Sequence, residues 1–189
     1  MNRTNAQIIS TVFNPVIDPA ITFLLLIWAD QQLNLSKKVE FLAIADLFTT
    51  GLMILCLLIF IRFGLISSPD IPNRRQRFLP LVVAAIVLFI GLLALSFVHA
   101  PDLIQTLMRC YATETLIVAI ISYWWKISIH TATMGCSLVA LTVQFGAIVL
   151  PFYLLLPLVS KARIVLERHT IAQTIAGAFL GIVLTTIQL

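Results

Sequence analysis

Charge is what this chain has least of: Lys, Arg, Asp and Glu make up only 11% of its 189 residues, against 60% hydrophobic ones. A soluble domain needs a polar and charged skin, so the shortage excludes an ordinary soluble protein and predicts an integral membrane protein. The uncharged runs "ITFLLLIWA", "GLMILCLLIFI" and "LPLVVAAIVLFIGLLALSFV" have the composition that a bilayer interior requires.

Cysteine is also sparse. Cys56, Cys110 and Cys136 are odd in number and lie inside apolar runs, where a thiol behaves as a small hydrophobe. Neither a disulfide framework nor a metal site is expected. The net charge of +4 collects in connecting segments, and no basic patch is interleaved with aromatics, so nucleic acid is not an expected partner. Repeats, low-complexity tracts and soluble appendages are absent, which predicts a single domain over residues 1–189. Near the start, Asn14, Pro15, Asp18 and Pro19 interrupt the apolar region and no small-residue cleavage site follows, so a retained first span is expected.

Only helices satisfy their backbone polar groups within one segment, so the apolar runs predict an all-α polytopic bundle. With about 20 residues per crossing, spans fall near 8–30, 40–66, 79–98, 102–124, 131–147, 149–166 and 170–188. Pro151 and Pro157 leave the junction of the fifth and sixth open, and the prediction is six to seven spans. With seven, alternation puts three polar stretches on the side of the N-terminus: "SSPDIPNRRQRFLP", "YWWKISIH" and "KARIVLERH".

Each stretch has two readings. Arg163 and His169 are six apart, so a helix break between them near Glu167 to Thr170 lets both face one point. His169 and Gln173 are four apart, on one face of the helix that follows. A nucleophilic imidazole offers one bare nitrogen while the other holds its proton against an acceptor, and the Gln173 amide oxygen can be that acceptor. Lys126 and His130 are again four apart, and His130 is the candidate general acid for a leaving alkoxide. Arg74 and Arg77 are three apart, and with Lys126 and Arg163 they supply enough cationic donors to hold a phosphoryl group without a metal or cofactor. The competing account is that Arg163, Arg168, His169, Lys126 and the tryptophans are interfacial anchors, and that the arginines, Arg75 above all, belong to a positive-inside loop.

Inside the spans, Asp46 and Arg109 come out at similar depth, which predicts a structural ion pair. Asp18 and Glu114 lie deeper, and are expected to be neutral or bonded to a neighbouring helix; acids at that depth are also what a transporter uses.

In order and spacing the three polar stretches resemble the type-2 phosphatidic acid phosphatase superfamily of metal-independent lipid phosphatases. That family carries K-x6-R-P, then P-S-G-H, then S-R-x5-H-x3-D. Here Arg163 and His169 reproduce R-x5-H, followed by "TIAQTIAGAFLG"; "KISIH" keeps Ser128 and His130; "RRQRFLP" stands in the first position. The resemblance covers residues 70–185. It implies that His169 attacks phosphorus to give a phosphohistidine, that His130 protonates the leaving group, and that Arg163, Lys126, Arg74 and Arg77 bind phosphate oxygens. Three positions depart from the pattern: Ala162 replaces the serine, Ile129 the glycine and Gln173 the aspartate. A neutral amide supports a developing imidazolium less than a carboxylate does.

The expected activity is hydrolysis of a lipid-borne phosphate or diphosphate, with an isoprenoid (di)phosphate the first choice and a membrane lipid the partner. A protein that binds or moves an anionic lipid without hydrolysis is the alternative. The N-terminal side carries Arg3, Arg62, Arg74, Arg75, Arg77, Lys126, Lys161, Arg163 and Arg168 against Lys37 and Lys38 opposite, so the positive-inside rule places the site on the cytoplasmic face.

Overall fold

The computed structural model describes residues 1–71 and 73–189, with Arg75 described by its backbone alone. Helix accounts for 80% of it, and no strand occurs among the described residues. Among the described residues, five segments are long and apolar enough to cross a membrane: Leu35–Arg62, Phe78–Phe97, Asp102–Trp124, Ile129–Val165 and Ile171–Gln188. Their outward faces are apolar, with Phe97, Ile148, Leu154 and Phe179 largely exposed, which is compatible with membrane integration.

The expected first span over 8–30 is not one helix. It is two, α1 (Arg3–Val12) and α2 (Asp18–Ala29), because Asn14 and Pro15 interrupt the hydrogen-bond ladder. Asn14 Oδ1 accepts from the Val16 amide at 2.9 Å, and the Val16 carbonyl accepts from Thr50 Oγ1 at 2.9 Å. The freed backbone is thus paired inside the protein, as a break at membrane depth requires.

The second segment starts one residue after Asn34, whose side chain caps the Lys37 amide. It runs as α3 (Leu35–Asp46), a π-turn (Leu47–Gly51) and α4 (Leu52–Arg62). A loop and a short 3-10 turn (Arg74–Gln76) lead to α5 (Phe78–Phe97), and α6 (Asp102–Trp124) returns beside it. Phe23, Phe41, Leu88, Leu107, Tyr111 and Cys136 form the heart of the main core between α2, α3, α5, α6 and α7.

The fifth and sixth expected spans, 131–147 and 149–166, belong to one continuous stretch, and a count of six or seven is not confirmed. The stretch comprises α7 (Ile129–Phe145), a 3-10 segment (Gly146–Leu154) holding Pro151, and α8 (Leu155–Val165). It doubles back at Gly146, whose φ is 69°. His130 near its start and Arg163 near its end are in contact. The final helix, α9 (Ile171–Gln188), packs along α7, while α1 lies on α8 through Ala6, Ala162 and Leu166.

Candidate active site

The turn between α8 and α9 breaks where the spacing predicted. Glu167 takes a left-handed conformation, φ 56°, and the Arg168 amide closes back on the Arg163 carbonyl at 3.0 Å. Thr170 then caps α9. Its Oγ1 accepts from the Gln173 amide, and Gln173 Oε1 accepts from the Thr170 amide at 3.1 Å, a reciprocal capping box. The same Gln173 oxygen lies 3.1 Å from His169 Nδ1. Because an amide oxygen only accepts, Nδ1 carries the proton, and the buried Nε2 has no hydrogen-bond partner. Burial, then the charges of Arg77, Arg163 and Lys126, push the His169 pKa down to about 3.

His130 stands in the first turn of α7, with Nε2 3.4 Å from Arg163 Nη1. A guanidinium only donates, so this nitrogen is the acceptor and the His130 proton sits on Nδ1. Acid catalysis from Nε2 therefore requires Arg163 to turn away first. Arg163 is buried, giving Nη1 to Ser10 Oγ at 2.6 Å and Nη2 to Asp70 Oδ1 at 2.6 Å. The second oxygen of Asp70 pairs with Arg168 Nε at 3.0 Å.

Arg77 is also buried, and its Nη1 donates to the Ile127 carbonyl at 2.9 Å. Desolvation lowers its pKa to about 10 despite the nearby Asp70 carboxylate. Lys126 Nζ donates to the Arg168 carbonyl at 2.8 Å; burial and then the Arg77 charge lower its pKa to about 8. Arg74 does not join this group. It is exposed and donates to the Trp124 carbonyl at the end of α6, where the helix dipole favours a cation. The Arg75 side chain lies outside what is described.

Two lipid-sized spaces meet here. An open, shallow depression of about 750 Å³ is bordered by Lys126, Glu167, Arg168, His169 and Gln173. A deeper cavity of about 620 Å³ starts at Asp70, Arg77, His130 and Arg163 and runs between apolar walls to Met53 and Leu88. Leu88 lies eleven residues along α5 from Arg77, a depth of about 16 Å at the helical rise.

Ser10, Asp70 and Arg168 lie outside the expected set of site residues, Arg168 entering the sequence reading only in the competing account as an interfacial anchor. Asp70 leaves a faint signal, as the single acid in a basic loop. Ser10 leaves none, since its contact with Arg163 spans 153 positions.

The expected Asp46–Arg109 ion pair does not form. Arg109 reaches the other way, to Thr106 Oγ1 and to the Gln188 carbonyl at the end of α9, and Asp46 Oδ1 is buried without a hydrogen-bond partner. Equal depth does not bring two helices face to face. Asp18 accepts from Ser137 at 2.5 Å and Glu114 from Thr133 at 3.2 Å, so both acids are bonded to α7. Among the described residues, no three His, Cys, Asp or Glu side chains converge to hold a metal ion.

No family model, curated protein or solved structure matches the chain. The likeness to the lipid phosphatases rests on the motif residues themselves.

Proposed function

We propose that this protein is a membrane lipid phosphatase that hydrolyses a lipid-borne phosphate or diphosphate through a phosphohistidine. One observation carries the reading: His169 keeps a bare, buried Nε2, its other nitrogen held by Gln173, among Arg77, Lys126 and Arg163. That is the state a nitrogen nucleophile needs beside a bound anion. Nε2 attacks phosphorus and the bond to the leaving oxygen breaks. Once Arg163 has moved onto the phosphate, His130 Nε2 takes up a proton from water and passes it to that oxygen, returning to its neutral form. Water then cleaves the N–P bond, releasing phosphate and restoring the imidazole.

The deep cavity supports a single-chain substrate, with an isoprenoid (di)phosphate the first choice. Its volume of about 620 Å³ between apolar walls lies in the range of sites that take one ligand-sized chain. A depth of about 16 Å is half of a ~30 Å hydrocarbon core, so the tail stays within one leaflet. The broken α1–α2 segment, the contact of His130 with Arg163 and the closed turn before His169 support seven crossings, with the site at one membrane face. The positive-inside count favours the cytoplasmic one.

The second reading, an anionic-lipid-binding or transport protein without hydrolysis, is favoured by Gln173 in place of a carboxylate and by the acceptor role of His130 Nε2. Phosphate release by purified protein, with chelator present, separates the two. The enzyme reading expects release from prenyl monophosphates or diphosphates that disappears in His169→Ala, together with an acid-labile phosphoprotein. Lipid binding without release from prenyl phosphates or phosphatidate supports the second reading.

A further inference from the structure

Four cations, Arg77, Lys126, Arg163 and Arg168, meet at the cavity mouth, and the carboxylate of Asp70 faces them. Its two oxygens lie on two different guanidinium groups, Oδ1 on Arg163 Nη2 at 2.6 Å and Oδ2 on Arg168 Nε at 3.0 Å. Oxygens of a phosphoryl group bind two arginines in the same way. Arg77 and Lys126 meanwhile donate to backbone carbonyls, of Ile127 and Arg168.

The backbone beside Asp70 is a second observation. Ile71 has φ 38°, a left-handed conformation that a β-branched residue avoids. Its side chain is buried with Phe60 and Ile66. The loop is therefore held in an unfavourable shape from two sides, by this apolar anchor and by the two ion pairs of Asp70. Backbone strain of this kind gathers at ligand clamps and switch segments.

Resting on the anion-site reading above, we propose that Asp70 is an internal ligand of the anion seat and that Arg168 is a further phosphate-binding residue. A phosphoryl group binds by displacing the Asp70 carboxylate from Arg163 and Arg168 and taking its place. The exchange also frees Arg163 Nη2 to draw the guanidinium off His130 Nε2. A ligand tethered to the chain competes at a high effective concentration, so it raises the apparent Kd of every incoming anion by the reciprocal of the fraction of seat it leaves free. Weak, singly charged anions at a lipid surface are thereby kept off the arginines.

The test is calorimetric titration of inorganic phosphate, at neutral pH, into full-length protein in detergent micelles. Asp70→Asn keeps the shape and removes the charge, and the expected result is a Kd lower by about tenfold or more than that of the unmodified protein. Adding Arg168→Gln to Asp70→Asn reverses the gain, and Asp70→Glu, which keeps a competing carboxylate, stays near the unmodified protein. Circular dichroism of each variant reports folding. Binding that is unchanged or weaker in folded Asp70→Asn overturns the proposal and makes Asp70 a strut that positions Arg163. Equal tightening in Asp70→Glu also overturns it, since charge is then not the cause. No phosphate binding in any variant, Asp70→Asn included, overturns the anion-site reading beneath it.

Discussion

His169 stays neutral because burial and three neighbouring cations all disfavour an imidazolium, which places its pKa near about 3. The nucleophile is then unprotonated far below the ordinary histidine value of about 6.5. Lys126 has the opposite consequence: it is cationic below its pKa of about 8 and neutral above, so the site loses one phosphate-attracting charge as pH rises through that value. The Lys126-dependent part of kcat/KM, read as the difference between the unmodified protein and Lys126→Ala after correction for the ionisation of the substrate, is expected to hold through neutral pH and fall through about 8. Lys126→Arg should move that alkaline fall upward, because a guanidinium stays charged. A fall near pH 6.5 caused by His169 contradicts the assigned environment. At Gln173, replacement by Ala removes the acceptor for Nδ1; a lost hydrogen bond of about 1–1.5 kcal/mol corresponds to roughly tenfold in rate. Gln173→Asp adds a negative charge behind the ring, which favours imidazolium, so the rate should rise and the acid limb move up in pH.

Helix α7 carries His130 and α9 follows directly on the turn that holds His169, so the spacing of the two helices fixes the site. They approach backbone to backbone: a Cβ on Gly181 would lie 2.0 Å from the Ala132 carbonyl oxygen, and one on Gly177 2.3 Å from that of Ser128. Small residues four apart let membrane helices pack this closely. Gly181→Val should therefore separate the helices, lowering thermal stability in detergent by about 1–3 kcal/mol or more and abolishing phosphate release with it. Retention of both in the purified variant contradicts the packing. The break between α8 and α9 was legible from Arg163 and His169, because six residues are too few to carry information from elsewhere in the fold. The break between α1 and α2 was half legible. Asn14 and Pro15 announce an interruption, but that the chain stops being helical over five residues depends on Thr50, delivered from the π-turn of another segment to pair with Val16.

For the whole molecule, the site needs three loops on one side of the bundle. In a background with Cys56, Cys110 and Cys136 replaced, single cysteines at Ser67, Tyr123 and Glu167 should react with a membrane-impermeant reagent from one side. Cysteines at Gln31 and His99 should react from the other. Labelling of positions 123 and 167 from opposite sides would mean that Ile129–Val165 crosses once and that the site cannot assemble in a bilayer.

The sequence by itself determined the helical, apolar class, the position of the α8–α9 break and the pairing of His169 with Gln173. All of these follow from composition or from residues within a turn or two of each other, where helix geometry leaves little choice. Only the tertiary structure decided that Arg163 meets Ser10 and Asp70, that Arg74 turns to the end of α6 instead of the cavity, and that Asp46 and Arg109 never meet. Those contacts span tens of residues or more, and depend on which way each helix is rotated about its axis. Depth in a membrane can be counted along a sequence, whereas rotation is set by packing against neighbours.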